Sequence, residues 1–199
     1  MRHTSVVSRI IAGKLASRRV ATPAGETTRP TTDRVRESVF AHIASRLGVV
    51  DRDPAEQLAG CTFLDLYAGS GAVGLEAASR GARVTWVENH AGAARVIRKN
   101  LDTLKVTGTV RIMDVARYLS TTPVLFDLVW MDPPYTVATE EVEGVLTLLD
   151  EKGWVGQQGI VMVERAGRTS AIEFPESFLN VGQRRYGDTI VYSAEKGRT

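Results

Sequence analysis

The residues best suited to chemistry in this 199-residue chain are Asp132, Pro133, Pro134 and Tyr135, which directly follow an apolar run. Proline fixes φ and lacks an N–H, so the two prolines end the run and make the chain rigid. That rigidity would aim two acceptors, the Asp132 carboxylate and the Pro133 carbonyl, at the two hydrogens of a planar exocyclic amine. Tyr135 supplies a flat ring on which a base can stack. The tetrapeptide therefore predicts a catalytic site for a nucleobase amine.

A glycine-rich turn lies upstream of this tetrapeptide. Gly69, Gly71 and Gly74 match the pattern G-x-G-x-x-G between a strand-like and a helix-like run, which places a ligand against the backbone of a tight turn. NAD, FAD and S-adenosylmethionine proteins all use such loops. Asp65, at the end of the strand, favours S-adenosylmethionine, because a carboxylate there would repel a pyrophosphate but stabilises an ammonium or a sulfonium.

Two further carboxylates follow the next two strand-like runs. Glu88 lies 19 residues after Gly69 and can accept hydrogen bonds from both ribose hydroxyls in either cofactor class. Asp114 can accept from an adenine amine, although aspartate after a strand is also an ordinary turn residue. The complete set of predicted cofactor-binding residues is Asp65, Tyr67, Gly69, Ser70, Gly71, Glu88 and Asp114.

Alternating strands and helices would position these motifs. The predicted strands are 61–67, 83–88, 109–113, 126–131 and 159–164, and the predicted helices are 72–80, 90–104 and 139–152. Short apolar strands are typical of a parallel sheet covered by helices on both faces. Segments 178–184 and 189–193 predict a closing antiparallel hairpin. The fold class is therefore α/β, a doubly wound, mostly parallel, seven-stranded Rossmann-like sheet.

The N-terminal segment has its own pattern. Two short strands, 9–12 and 18–21, are predicted on either side of a turn around Gly13. A helix should begin after Thr32, a good N-cap, and end at Gly48. The extension is thus expected to be a hairpin followed by a helix.

The formal net charge of +2 conceals an asymmetry. Residues 1–36 contain eight basic and two acidic residues, a net charge of +6, so the remainder carries −4. A basic segment on an acidic body indicates a polyanionic partner, and a solvated basic tail is the alternative interpretation.

Composition excludes several classes of protein. The chain is 43% hydrophobic, as an ordinary globular domain is, but it has no run of the roughly 20 apolar residues that a spanning helix needs. Its N-terminus has no apolar signal region. Cys61 is the single cysteine and the three histidines are scattered, so neither a disulfide nor a metal site is expected. We expect a cytoplasmic protein that binds no metal.

Five segments together carry a family resemblance. They are Arg9 to Gly13, Arg29 to Glu37, Asp65 to Gly81, Asp132 to Tyr135 and Tyr186 to Thr189. The chain resembles the class I S-adenosylmethionine-dependent amino methyltransferases, and within them the bacterial 16S ribosomal RNA (guanine-N2)-methyltransferases of the small subunit, D type. The glycine and Asp-Pro-Pro-Tyr motifs are shared with many methyltransferases, whereas the arginine-rich N-terminal signature is specific to this family.

The resemblance implies methyl transfer from S-adenosylmethionine to the N2 amine of a guanine in 16S rRNA, with S-adenosylhomocysteine as product. The partner would be that RNA within a small-subunit ribonucleoprotein particle, bound by a monomer. Residues 1–50 would form a basic RNA-binding extension and residues 51–199 the methyltransferase domain. The candidate RNA contacts are Arg9, Lys14, Arg18, Arg19, Arg29, Arg34 and Arg36. Arg34 or Arg36 could instead bridge the N-terminal helix to an acid on the catalytic body.

Two alternative functions remain open from the residues alone. Asp-Pro-Pro-Tyr serves any planar amine, so adenine-N6 methylation of DNA or RNA fits the same motif. A non-catalytic RNA-binding ribosome assembly factor that keeps a methyltransferase fold is the alternative from another class. The intact Asp65, Gly69, Gly71, Asp132 and Tyr135 argue against that second alternative.

Overall fold

The computed structural model describes residues 8–23 and 32–198. Its strands are β1 Ser8–Arg9, β2 Arg19–Val20, β3 Thr62–Leu66, β4 Arg83–Glu88, β5 Thr109–Ile112, β6 Phe126–Met131, β7 Val155–Ala166, β8 Phe178–Tyr186 and β9 Thr189–Lys196. Its helices are α1 Asp33–Arg46, α2 Ala72–Ser79, α3 Ala91–Leu104, α4 Val115–Leu119 and α5 Thr139–Glu151. No helix among these residues is both long and apolar enough to cross a membrane.

The main sheet has seven strands in the order β5-β4-β3-β6-β7-β9-β8. The five strands from β5 to β7 are parallel, and β9 is antiparallel to both β7 and β8. This arrangement confirms the predicted fold class. The strand order reverses between β3 and β6, and in such sheets ligands bind in the crevice beyond the carboxyl ends of the strands at that point.

Apolar side chains cover both faces of the sheet. Phe63 of β3 and Trp130 of β6 pack on one face with Phe40 of α1. The neighbouring residues Leu64 and Val129 point to the other face, because successive side chains of a strand alternate. Helix α1 therefore belongs to the same core as the sheet.

The N-terminal hairpin pairs over fewer residues than the sequence predicts. Ile11 and Ala12 leave the ladder because their N–H groups donate to the Glu76 carboxylate, over 2.6 and 3.0 Å. The predicted helix start is confirmed, since Thr32 is the N-cap of α1 and its hydroxyl accepts from the Val35 N–H over 3.3 Å. Two further elements differ from the sequence-based predictions. The sequence does not predict α4, and β7 begins several residues earlier than predicted.

Candidate active site

The two sequence motifs meet at the carboxyl edge of the sheet. Strands β3 and β6 pair in parallel with Leu66 opposite Met131, so the glycine turn and the Asp-Pro-Pro-Tyr segment leave the sheet side by side. The Asp132 N–H donates to the carbonyl of Leu66, the last residue of β3, over 3.4 Å. This hydrogen bond joins the two segments where they leave the sheet.

Backbone conformation shapes the glycine turn between β3 and α2. Tyr67, Gly69 and Gly71 all have positive φ, at 59°, 53° and 78°. Gly71 is the N-cap of α2 and supplies no side-chain cap, so the Ala72 and Val73 N–H groups at the start of this helix have no acceptor among the described residues. A Cβ added at Gly69 would meet nothing within 4 Å, so there is open space against the turn.

Gly74 allows close packing beneath the turn. A Cβ at this position would lie 2.2 Å from Nε1 of the Trp86 indole, so only glycine fits. The same indole N–H donates to the Gly71 carbonyl over 3.3 Å. Trp86 is completely buried and forms the floor on which the turn rests.

Asp65 lies under the turn and not on its ligand side. Its side chain is buried, and Oδ2 accepts from the Gly74 N–H over 2.9 Å. Burial raises the pKa of Asp65 well above its usual value; nearby Glu88 raises it further, and the Gly74 hydrogen bond opposes the shift. In this structure Asp65 supports the turn, and its contact with a cationic ligand stays a prediction.

Glu88, at the end of β4, joins the turn to the next helix. Oε2 accepts from the Gly69 N–H over 2.8 Å, and Oε1 accepts from the His90 N–H over 2.7 Å. Each carboxylate oxygen has a second lone pair, so both can also accept from a diol. The backbone of both segments thus orients the Glu88 carboxylate, and its ribose contact stays a prediction.

Tyr67 and Asp114 lie on the flank of the crevice. Burial raises the pKa of Tyr67 to about 12, with Glu141 and Asp114 adding to the shift, so its phenol stays protonated at neutral pH. Asp114 is exposed and is the N-cap of α4, where Oδ1 accepts from the Arg117 N–H over 3.1 Å. Asp114 thus acts as the turn residue that was the alternative interpretation. Its other oxygen, Oδ2, makes no hydrogen bond within residues 8–23 and 32–198.

Hydrogen bonds hold the chain that follows the Asp132 and Pro133 acceptors. The Val137 N–H donates to the Pro134 carbonyl over 2.9 Å, and Arg165 at the end of β7 donates to the Val137 carbonyl over 3.0 Å. Within the described part of the chain, the Pro133 carbonyl accepts no hydrogen bond. Tyr135 is 59% exposed, so its ring can receive a stacked base.

Two arginines next to this segment were not foreseen. The guanidinium carbon of Arg168 lies 5.5 Å from the centroid of the Tyr135 ring, in a cation–π contact. Arg165 is buried, and burial lowers its pKa. Their sequence context, a strand end followed by a turn, resembles an ordinary surface, so only the fold reveals these contacts.

The basic N-terminal residues divide into two groups. Lys14, Arg18, Arg19 and Arg34 are exposed, and Arg9 is exposed while pairing with Asp33 over 2.9 Å. Arg36 is buried, pairs with Asp33 over 2.7 Å and donates to the Arg9 carbonyl. We therefore withdraw Arg36 from the predicted RNA contacts, because a buried guanidinium cannot reach a phosphate on the surface. Arg29 lies outside the described residues.

The N-terminal hairpin is attached to the helices that follow the turn. On α2, Glu76 accepts the two N–H groups already described, and Ser79 Oγ accepts from the Leu15 N–H over 2.9 Å. Asn100 of α3 donates to the carbonyls of Ala21 and Ser70, over 3.0 and 3.2 Å. One side chain thus bridges the hairpin and the glycine turn, a contact that no local sequence signal announces.

Comparison with known proteins gives consistent matches over most of the chain. The family model "Conserved hypothetical protein 95" matches residues 8–195. The chain is 36% identical over 159 residues to ribosomal RNA small subunit methyltransferase D of Escherichia coli, covering 78% of this chain and 73% of that protein. The enzyme of the same name from Haemophilus influenzae is 33% identical over 163 residues, covering 78% and 77%. The solved structure of the Escherichia coli protein yhhF is 28% identical, with a TM-score of 0.80 over 97% of this chain and 99% of that one.

Proposed function

The chain belongs to the Conserved hypothetical protein 95 family, together with the ribosomal RNA small subunit methyltransferases D, and we propose that it methylates small-subunit ribosomal RNA. The methyl donor is S-adenosylmethionine and the acceptor is the N2 amine of a guanine. The protein acts as a monomer on a ribonucleoprotein particle, and such a substrate implies a cytoplasmic location. The observation that carries the proposal is the pairing of β3 with β6, which sets the glycine turn beside Asp132 and Pro133.

The residues around the turn fit S-adenosylmethionine. Open space lies against Gly69, the Ala72 and Val73 N–H groups have no acceptor among the described residues, and the two Glu88 oxygens retain acceptor capacity. When bound there, S-adenosylmethionine supplies a methyl group on a sulfonium, whose departure as a neutral thioether drives the transfer. Tyr67, Ser70 and Asp114 complete the proposed cofactor site, and Asp65 supports it from below.

Asp132 and Pro133 position the amine. An exocyclic amine is a poor nucleophile because its lone pair is delocalised into the ring. Accepting its two hydrogens at the Asp132 carboxylate and the Pro133 carbonyl localises that lone pair and directs it, so the contribution is positioning and electrostatics. The methylated amine is a strong acid and loses its proton after transfer. Removing the target base from its stack costs a few kcal/mol. Stacking of that base on the Tyr135 ring offsets part of this cost, by about 1–3 kcal/mol.

The exposed basic residues of the extension hold the RNA. We assign Arg9, Lys14, Arg18, Arg19, Arg29 and Arg34 to phosphate contacts, which fix the register of the RNA without reading its sequence. Residues 1–50 act in this scheme as an RNA-binding extension of the 51–199 methyltransferase domain. Asn100 and Glu76 connect the extension to the turn and to α2, so bound RNA is held close to the cofactor site.

Incubation of the protein with isotopically labelled S-adenosylmethionine and small-subunit RNA tests the proposal. The RNA is offered naked and assembled with ribosomal proteins, and the product is digested to nucleosides for mass spectrometry. We expect labelled N2-methylguanosine from the assembled particle. Labelled N6-methyladenosine as the sole product would replace this proposal with adenine methylation. RNA binding without any transfer would indicate a non-catalytic assembly factor.

A further inference from the structure

We propose that the groove between α1 and β8 binds a phosphate of the substrate RNA, as a second anchor apart from the N-terminal basic residues. The inference rests on the proposed function, because it takes RNA as the substrate. The groove has a volume of about 200 Å³. Its lining combines apolar side chains, Val39, Met162 and Val191, with hydrogen-bonding side chains, namely His42 and Arg46 from α1, Arg184 from β8 and Ser193 from β9.

The charge of the groove is positive and unbalanced at Arg184. This exposed side chain makes no hydrogen bond or ion pair within residues 8–23 and 32–198. Arg46 pairs with Glu195 over 2.6 Å, and Asn180 donates to the same carboxylate over 2.8 Å. The acidic charge nearby is therefore already engaged, which leaves the Arg184 guanidinium to face an anion from solution.

The pKa of His42 reflects the positive charge of the groove. Its Nε2 is buried and has no hydrogen-bond partner among the described residues. Burial lowers the pKa of His42; Arg184 and Arg46 lower it further, and Glu195 opposes them. The Nε2 atom is not accessible from the groove, so a bound phosphate would act on His42 through its charge, by neutralising the field of the two arginines that lowers the pKa of the imidazole.

One end of the groove lies at the edge of the sheet that carries the proposed active site. Tyr186 lines this end; its hydroxyl lies 2.5 Å from Ser38 Oγ, and it ends β8 at the same edge of the sheet as Asp132. Strand β8 is three positions from β6 in the sheet, or about 14 Å at the usual strand spacing. The N-terminal hairpin contacts α2 and α3, on the β4 side of Asp132.

Binding of a labelled small-subunit RNA fragment at increasing salt tests this second anchor. The variants are Arg184→Ala, Arg184→Lys, and Arg52→Ala as the matched control, since Arg52 is exposed and lies near Cys61 at the opposite edge of the sheet. Arg184→Ala should weaken binding several-fold and flatten the slope of log affinity against log salt by about 0.7–0.9. Arg184→Lys should restore the slope, and Arg52→Ala should leave it unchanged.

A slope for Arg184→Ala equal to that of Arg52→Ala would overturn the second anchor. Methyl transfer measured on the same proteins separates this failure from failure of the proposed function. If Arg184→Ala has an unchanged slope while the wild-type protein methylates RNA, the groove is not a phosphate site and the proposed function stands. If the wild-type protein neither binds nor methylates RNA, both proposals fail. The expected pattern for an anchor is a raised KM for RNA with an unchanged kcat.

Discussion

Asp65 and Gly74, nine residues apart, are joined by a hydrogen bond of 2.9 Å from the Gly74 N–H to Oδ2 of a buried carboxylate. The bond fastens the end of β3 to the first turn of α2, so the glycine turn between them is held from below. Glu88 holds the same turn from the side, through the Gly69 N–H. The backbone that faces the proposed cofactor is therefore fixed before any ligand arrives, which lowers the ordering cost of binding.

The raised pKa of Asp65 predicts how stability depends on pH. The folded protein keeps a proton on this carboxyl at pH values where the unfolded chain has lost it, so its contribution is most favourable below about pH 4 and declines as pH rises. Asp65→Asn keeps an acceptor for the Gly74 N–H and removes the titration. The free energy of unfolding of the variant, relative to wild type, should therefore increase as the pH is raised above about pH 4.

Urea denaturation at a series of pH values measures this difference. Asp53→Asn is the control for removal of a carboxylate, because exposed Asp53 also accepts a backbone N–H, that of Ala55, over 2.8 Å. A difference between Asp65→Asn and wild type that stays constant with pH would contradict the assigned burial of the charge.

Packing at Gly74 predicts opposite outcomes for two Gly→Ala substitutions. At Gly74 the new Cβ would overlap the completely buried Trp86, and overpacking of this kind costs about 1–3 kcal/mol. At Gly144, exposed within α5, a Cβ would meet nothing within 4 Å, and alanine should stabilise the helix by about 0.5–1 kcal/mol. Thermal and urea unfolding of the two variants measure both effects. Equal stability of Gly74→Ala and wild type would show that the turn does not rest on Trp86.

Glu88 should control cofactor affinity and not the chemical step. Glu88→Gln keeps one acceptor oxygen but loses the anion, and we expect S-adenosylmethionine to bind about tenfold more weakly, with Glu88→Ala weaker still. Calorimetry gives the affinities. At saturating cofactor the rate of Glu88→Gln should approach that of wild type; a variant with normal affinity and a slow rate would move Glu88 from binding to catalysis.

The N-terminal hairpin should contribute to the salt dependence of RNA binding. The double variant that carries both Arg18→Ala and Arg19→Ala removes two exposed candidate partners of RNA phosphates. The slope of log affinity against log salt should fall by about 0.7–0.9 for each phosphate that is no longer neutralised. Arg52→Ala, exposed and remote from the proposed site, is the matched control. If the double variant keeps the wild-type slope, these arginines do not touch RNA.

The sequence predicted the location of the site because parallel strands end at a common edge. The glycine turn and Asp132 were expected to meet, and the register of Leu66 with Met131 brings them together. A carboxylate at a strand end, however, can point above or below the turn, and the sequence alone assigned Asp65 to the ligand side. The hydrogen bond from the Gly74 N–H and the packing of Gly74 on Trp86 are contacts that the sequence does not announce, because both depend on the fold.

Contacts between distant segments account for the remaining differences. Arg36 lies in a basic segment, so the sequence indicates an exposed side chain. In α1, however, its side chain is buried and contacts Asp33 and the Arg9 carbonyl. The predicted strand at 9–12 is shortened because the Glu76 carboxylate, 65 positions from Ile11, takes its N–H. Helix α4 is too short to show an apolar period, and only its cap at Asp114 marks it.

The most direct test of the account compares wild type with Asp132→Ala in a single-turnover reaction. Small-subunit RNA and labelled S-adenosylmethionine are supplied in excess over their dissociation constants, and labelled nucleosides are counted. Wild type should yield N2-methylguanosine. The variant, which lacks the carboxylate that orients the amine, should transfer methyl groups about a hundredfold more slowly, or slower still, while binding S-adenosylmethionine within a few-fold of wild type. Undiminished transfer by Asp132→Ala, or an equal decrease in transfer and cofactor affinity, would contradict the role assigned to Asp132.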